Sequence, residues 1–264
     1  MAWEGGDGPF RLGRRHRPVS STGGAIPYAE RVRAARARIE RRITDAGGDL
    51  RRITIVAVTK GHGPEAVLAA RDAGIADIGE NYAAELVSKA GTIGAETAVR
   101  WHYLGAIQRN KIPRLAPIVS VWQSLSRVEE AVAIARRSPG TAPEVFVEVD
   151  LTSAPGRGGC PPDQLASVVD GARGAGCRVR GLMTVAPLVG TSAAEGATAE
   201  MAEGAKREAA RRAFGRCAEL ARELGLDELS MGMTADLEEA VAAGTTMVRI
   251  GTALFGPRRP KVPT

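Results

Sequence analysis

The chain has 264 residues, 44% hydrophobic and 25% charged, a balance that excludes fibrous and low-complexity classes and fits two ordinary domains or one α/β barrel. Its net charge of +6 sits largely on Arg-rich stretches such as "ERVRAARARIERR" with no interleaved aromatics, so no nucleic-acid partner is expected. No apolar run approaches the ~18 residues that cross a bilayer. Cys160, Cys177 and Cys217, odd in number and without a CxxC, argue against a disulfide framework or a zinc site and for a reducing cytoplasm.

Residues 1–24 hold no hydrophobic segment of signal-peptide type and read as a disordered extension. "IPYAERVRAARARIERRITDAGG" then has apolar positions at helical spacing and stops on Gly-Gly. An alternation follows. Strands are predicted at 53–58, 75–78, 101–105, 118–122, 144–151, 178–183, 228–230 and 246–250. Helices are predicted between them at 64–73, 81–89, 108–115, 128–137, 162–175, 205–224 and 237–243. "DAG", "GAG" and "AAG" each close a helix with glycine, and Pro64 and Pro162 fall where first-turn prolines are tolerated. The strands are short and apolar without strict alternation, as strands covered on both faces should be. Eight strands predict a single (β/α)8 TIM barrel over 25–258 with an extra N-terminal helix and a tail at 259–264. An open doubly wound sheet is the alternative. "VGTSAAEGATAEMAEGA" reads as a long loop and the frayed start of the next helix.

Functional residues of such a barrel collect at the C-terminal strand ends, with phosphate often bound after strands seven and eight. Lys60 stands just past strand one in "ITIVAVTKGHG". Only five of the 36 basic residues are lysine, so a lysine here points to an amine that can lose its proton. Ser230, Gly232 and Met233 end strand seven in "LSMGMTADLEEA", and Arg249, Gly251 and Thr252 end strand eight in "MVRIGTALFG". Their small residues and hydroxyls suit an anion cradle, with a helix predicted to begin near Thr234. A ligand carrying both an aldehyde and a phosphate, such as pyridoxal 5′-phosphate, would connect Lys60 with these two turns.

Other residues compete for roles. Glu80 and Asn81 in "DIGENYAAEL" read as a helix cap that faces the mouth. In "WHYLGAIQRNK", His102 reads as a satisfied barrel histidine, followed by Gly105, Gln108, Asn110 and Lys111. His62 reads as a mobile loop histidine with an acid or base role as the alternative, and Arg157 in "TSAPGRGGCPP" either reaches an anion or faces solvent. No cluster of His, Cys or carboxylates has metal-ligand spacing.

"VAVTK", "GENYAAE", "WHYLGAIQRNK", "GLM" and "LSMGMTADLEEAVAAGTTMVRIGTALFG" together resemble the pyridoxal phosphate homeostasis protein family (YggS/PROSC), in order over about 28–257. The resemblance implies a fold-type III, alanine racemase N-terminal-domain-like barrel holding pyridoxal 5′-phosphate (PLP) as an aldimine on Lys60. It also implies Ser230, Gly251 and Thr252 as phosphate-binding residues, with Asn81, Met183, Met233 and Arg249 near the cofactor. Ala106, Ser126 and Arg157 depart from the family's usual proline, aspartate and lysine. The barrel consumes the chain, leaving no second domain to complete a racemase site. The expectation is therefore a monomeric, non-catalytic PLP carrier serving PLP-requiring apo-enzymes. A single-domain amino-acid racemase or lyase using His62 or Tyr82 is the alternative, and a class I aldolase using Lys60 directly is a more distant third.

Overall fold

A computed structural model describes residues 27–138, 140–152, 157–187 and 198–257; the predicted extension and tail lie outside these. The chain opens with helix α1 (Tyr28–Asp45), which buries Val32, Ala35, Ile39 and Ile43, apolar positions three or four apart along one face. Its cations reach neighbours. Arg33 and Arg36 donate to the carbonyls of Asp72 and Ala73, where α2 (Pro64–Asp72) ends.

The alternation then runs β1 (Thr54–Val58), α2, β2 (Asp77–Glu80), α3 (Ala83–Ile93), β3 (Arg100–Tyr103), α4 (Ile112–Leu115), β4 (Val119–Leu125) and α5 (Val128–Ala135). It continues with β5 (Glu144–Glu148), α6 (Leu165–Gly174), β6 (Arg178–Met183), α7 (Ala199–Glu223), β7 (Glu228–Ser230), α8 (Leu237–Ala242), β8 (Met247–Ile250) and α9 (Thr252–Phe255). All eight strands are parallel, each pairs with its sequence neighbours, and β8 pairs back onto β1 with Thr54 beside Met247 and Ala57 beside Ile250. The predicted barrel is closed, and the open sheet is ruled out.

Two apolar layers explain why the strands lack simple alternation. Val56, Val121, Phe146, Met183 and Met247, from five different strands, pack together inside the barrel. Residues of the opposite parity, such as Ala57, Ile78 and Trp122, join the larger core between strands and helices.

Local chemistry moves several boundaries. β2 starts at Asp77, not 75, because Gly74 (φ 81°) turns the chain out of α2 and the Ile75 N–H bonds back to Ala70. The helix predicted over 108–115 shrinks to one turn at Ile112: Pro113 has no N–H and is accommodated only at a helix start. Helix α7 begins at Ala199, inside the stretch read as its frayed start, where the Thr198 hydroxyl caps it, accepting from Met201 N–H at 3.2 Å. No helix among the described residues is long and apolar enough to cross a membrane.

Candidate cofactor site

The ladder between β1 and β2 persists to Thr59, whose N–H donates to Gly79 O at 3.0 Å. Since Val56 points inward, Val58 and Lys60 follow it on the same face, and both line a cavity of about 510 Å³ at the C-terminal mouth. The residues flanking Lys60 are strapped from outside the barrel. Thr59 Oγ1 donates to Glu80 Oε1, Lys89 Nζ on α3 donates to Glu80 Oε1 and to Thr59 O, and Gly61 N–H donates to Glu85 Oε2 at 2.8 Å. Glu80 is wholly buried. Burial pushes its carboxyl up, against the hydrogen bonds from Lys89 and Thr59 that pull it down.

Glu80 therefore does not face the mouth as the sequence suggested; strand alternation gives that direction to Asn81. Asn81 lines the cavity, and its Oδ1 is buried without a hydrogen-bond partner among the described residues. Gly105 sets its position, since a Cβ there would collide with the Asn81 carbonyl. The helix cap falls instead at Tyr82.

The opposite wall comes from the last strands. Met233, Thr234 and Ala235 follow β7, while Arg249, Gly251 and Thr252 end β8. Thr234 is held twice: its Oγ1 accepts from Ala253 N–H at 3.4 Å, and its carbonyl accepts from Arg42 Nη2 at 3.0 Å. Arg42 also grips both oxygens of Glu238, at 2.7 and 2.8 Å, so α1 latches the loop after β7. Met183, Val185 and Leu104 complete the apolar part of the wall.

Two further ionisable groups share the cavity with Lys60. Arg249 is buried and donates to Ser230 O at 2.6 Å and Thr184 O at 2.8 Å; burial pushes its guanidinium down and the charge of Glu148 pulls it up. Glu148, at the end of β5, is pushed up to about 7 because burial outweighs the pull of Arg249 and Arg157.

Seven of the eight residues named from sequence, Lys60, Asn81, Met183, Met233, Arg249, Gly251 and Thr252, thus line one cavity. Ser230 is not on its wall. It is fully buried, and its hydroxyl donates to Gln123 Oε1 at 2.6 Å and accepts from Arg249 Nη1 at 2.7 Å. The hydroxyls on that wall belong to Thr252 and to Thr234, four residues after Ser230 in the same motif. Glu148 was also missed: the strand predicted over 144–151 put it mid-strand, whereas β5 ends at Glu148 and turns it to the mouth. His62 packs against Phe255 with ring centroids 5.4 Å apart, Tyr82 is half exposed, and neither lines the cavity. Arg157 donates to Ala186 O at 3.0 Å and lines a neighbouring cavity that shares Glu148. Gln108 and Asn110 are exposed. Among the described residues no group of His, Cys, Asp and Glu could hold a metal ion.

Known proteins agree with this architecture. The family model for the alanine racemase N-terminal domain matches residues 34–259. A pyridoxal phosphate homeostasis protein of Pseudomonas aeruginosa is 35% identical over 235 residues, 87% of this chain and 95% of the relative. One of Deinococcus radiodurans is 37% identical over 235 residues, covering 85% and 99%. PipY of Synechococcus elongatus PCC7942, solved with PLP bound, superposes with a TM-score of 0.69 at 28% identity, covering 87% of this chain and all of that one. The chain belongs to the alanine racemase N-terminal-domain family and, within it, to the pyridoxal phosphate homeostasis proteins.

Proposed function

We propose that the chain binds PLP in the barrel mouth, attached at Lys60, and holds it for intracellular PLP homeostasis. The observation that carries this reading is that Lys60 from the first strand and Thr234, Gly251 and Thr252 from the last two line one cavity. One ligand with an aldehyde at one end and an anion at the other spans them. The residues fit the group: Asn81 Oδ1 is a buried acceptor with no donor among the described residues, and Met183, Met233, Leu104 and Val58 offer apolar surface to a ring. The names of the relatives and the PLP seen in PipY support the same assignment.

When bound, PLP supplies an aldehyde that condenses with a lysine amine with loss of water, and a phosphate dianion. The chain's own residues do the positioning. The Glu80–Lys89–Glu85 strap fixes the backbone on both sides of Lys60. Arg42 fixes the Thr234 turn from behind, and Gly251 lets the end of β8 pack close against β1, where a Cβ would come within 3.2 Å of Val58 O. Arg249 keeps a positive charge at the cavity because carbonyls and a hydroxyl, rather than a carboxylate, receive its N–H groups. PLP-requiring apo-enzymes are the receiving partners. Incubating purified protein with PLP should give a visible absorption band, and borohydride should fix the added mass on the Lys60 peptide. A band that survives Lys60→Ala sinks the reading.

One observation favours a second reading, a PLP-dependent amino-acid racemase or lyase. Glu148 is a cavity carboxyl pushed up to about 7, where a group exchanges protons at neutral pH. Holding is favoured because the relatives are named for homeostasis and the two acid/base candidates, His62 and Tyr82, stand off the cavity wall. Incubation with amino acids in heavy water separates the readings: rapid α-deuteration that is lost in Glu148→Gln would establish turnover.

A further inference from the structure

Beneath the cavity, a single file of polar side chains crosses the barrel interior. It begins at Arg249, whose Nη1 donates to Ser230 Oγ at 2.7 Å. The Ser230 hydroxyl keeps its own proton to donate, and gives it to Gln123 Oε1 at 2.6 Å. That contact fixes the amide's orientation. Gln123 Nε2 then faces His102 Nδ1 at 2.7 Å and Met247 Sδ at 3.0 Å, and an amide nitrogen also only donates. His102 Nδ1 must be the bare nitrogen, which leaves the ring proton on Nε2, donating to Asp77 Oδ1 at 2.9 Å. Asp77 meets Arg100 at 3.3 Å at the far end of the barrel.

With the Gln123 amide so oriented, every link runs in one direction, and the chain visits β8, β7, β4, β3 and β2 in turn. Ser230, Gln123 and His102 are each 0% exposed, so water cannot substitute for a lost link. The ionisation of His102 and Asp77 agrees with the direction. Burial pushes the His102 imidazole down, towards the neutral ring that one bare nitrogen requires. Burial would raise Asp77, but the His102 hydrogen bond and the charges of Arg100 and Arg180 hold it low, as the anionic acceptor.

We propose that Ser230, Gln123 and His102 are positioning residues that hold the Arg249 guanidinium in its cavity orientation, anchored at Asp77 on the opposite face. The proposal rests on the cofactor reading for its consequence, and it gives the serine of the "LSMGM" motif a role behind Arg249. Gln123→Met keeps the side chain's length but neither donates nor accepts as an amide does, so Ser230 loses its acceptor and Arg249 loses its fixed partner.

Two arms test this. In cofactor-free protein, nitrogen-15 NMR should show neutral His102 with its proton on Nε2, and Gln123→Met should shift the Arg249 guanidinium signals. In PLP-loaded protein, Gln123→Met and Ser230→Ala should move the absorption band and speed PLP release about tenfold, the factor expected for one lost hydrogen bond. Gln123→Asn, too short to span the gap, should behave like Gln123→Met. A proton on Nδ1, or folded variants with wild-type band, release rate and Arg249 signals, overturns the proposal. If the wild type gives no band, the cofactor reading fails, and unmoved Arg249 signals in the cofactor-free variants would still overturn the chain.

Discussion

Glu148 is a carboxyl whose ordinary value of 4.5 is pushed up to about 7 in the folded protein, chiefly by burial. Between those two values the folded state keeps a proton that the unfolded chain has released. Stability therefore falls as pH climbs from about 4.5 to 7, and the full loss persists above. The displacement corresponds to about 3 kcal/mol at most. Glu148→Gln removes the charge at nearly constant volume. Urea unfolding of the cofactor-free variant should show it about 1–3 kcal/mol more stable than the wild type at alkaline pH, with the gap closing towards the acid end of that window. An equal gap at both ends would contradict the assignment. The cysteines, by contrast, offer no titration near neutrality: burial pushes Cys160 and Cys177 to about 11 and Cys217 to about 12, so none is a ready thiolate.

Among the elements, α1 does more than cover the barrel. Its apolar face seats it, and Arg42 in its last turn joins it to the turn that carries Thr234. The ion pair with Glu238 is partly exposed, so Arg42→Ala should cost only about 1 kcal/mol of stability. Its larger effect should be on the cavity, where the Thr234 carbonyl loses its tether. A spectroscopic titration should show PLP affinity reduced roughly three- to tenfold, an amount set by one hydrogen bond. Unchanged affinity would mean that the turn is held by Thr234 Oγ1 and Asp236 alone. The elements were well marked in the sequence where glycine stops helices, at Gly74, Gly176, Gly225 and Gly244, because that turn is written in consecutive residues. Helix α4 was overestimated because a proline at its start was passed over, and the start of α7 was left loosely placed because the capping role of Thr198 was passed over.

The whole molecule has two unlike ends. The C-terminal mouth carries the cavity, and the N-terminal end is tied by ions: Glu144 accepts from Arg100 at 2.9 Å, Arg178 at 3.2 Å and Arg180 at 2.9 Å, while Arg180 also grips Glu228 at 2.7 Å. Three arginines converge on one carboxylate, binding β3, β5 and β6 together across the barrel floor. Glu144→Gln should leave them repelling one another and cost about 1–3 kcal/mol, a deficit that shrinks in 1 M salt. Urea melts at low and high salt would show this, and a salt-independent deficit would point to lost packing instead.

The sequence by itself determined the eight-fold alternation and Lys60 at the first strand's end, because these depend on periodicity, glycine stops and residue choice along neighbouring positions; the pairing of β8 with β1 decided between the closed barrel and the open sheet. Only the tertiary structure decided which side chain of a motif faces the ligand. Ser230 and Thr234 stand four residues apart in one stretch, yet one is sealed against Gln123 from 107 positions away and the other lines the cavity. Glu80 and Asn81 are adjacent, yet one binds Lys89 outside the barrel and the other lines the cavity within. The direction in which a side chain points follows from strand parity and register once the barrel closes, and those are fixed by partners far away along the chain.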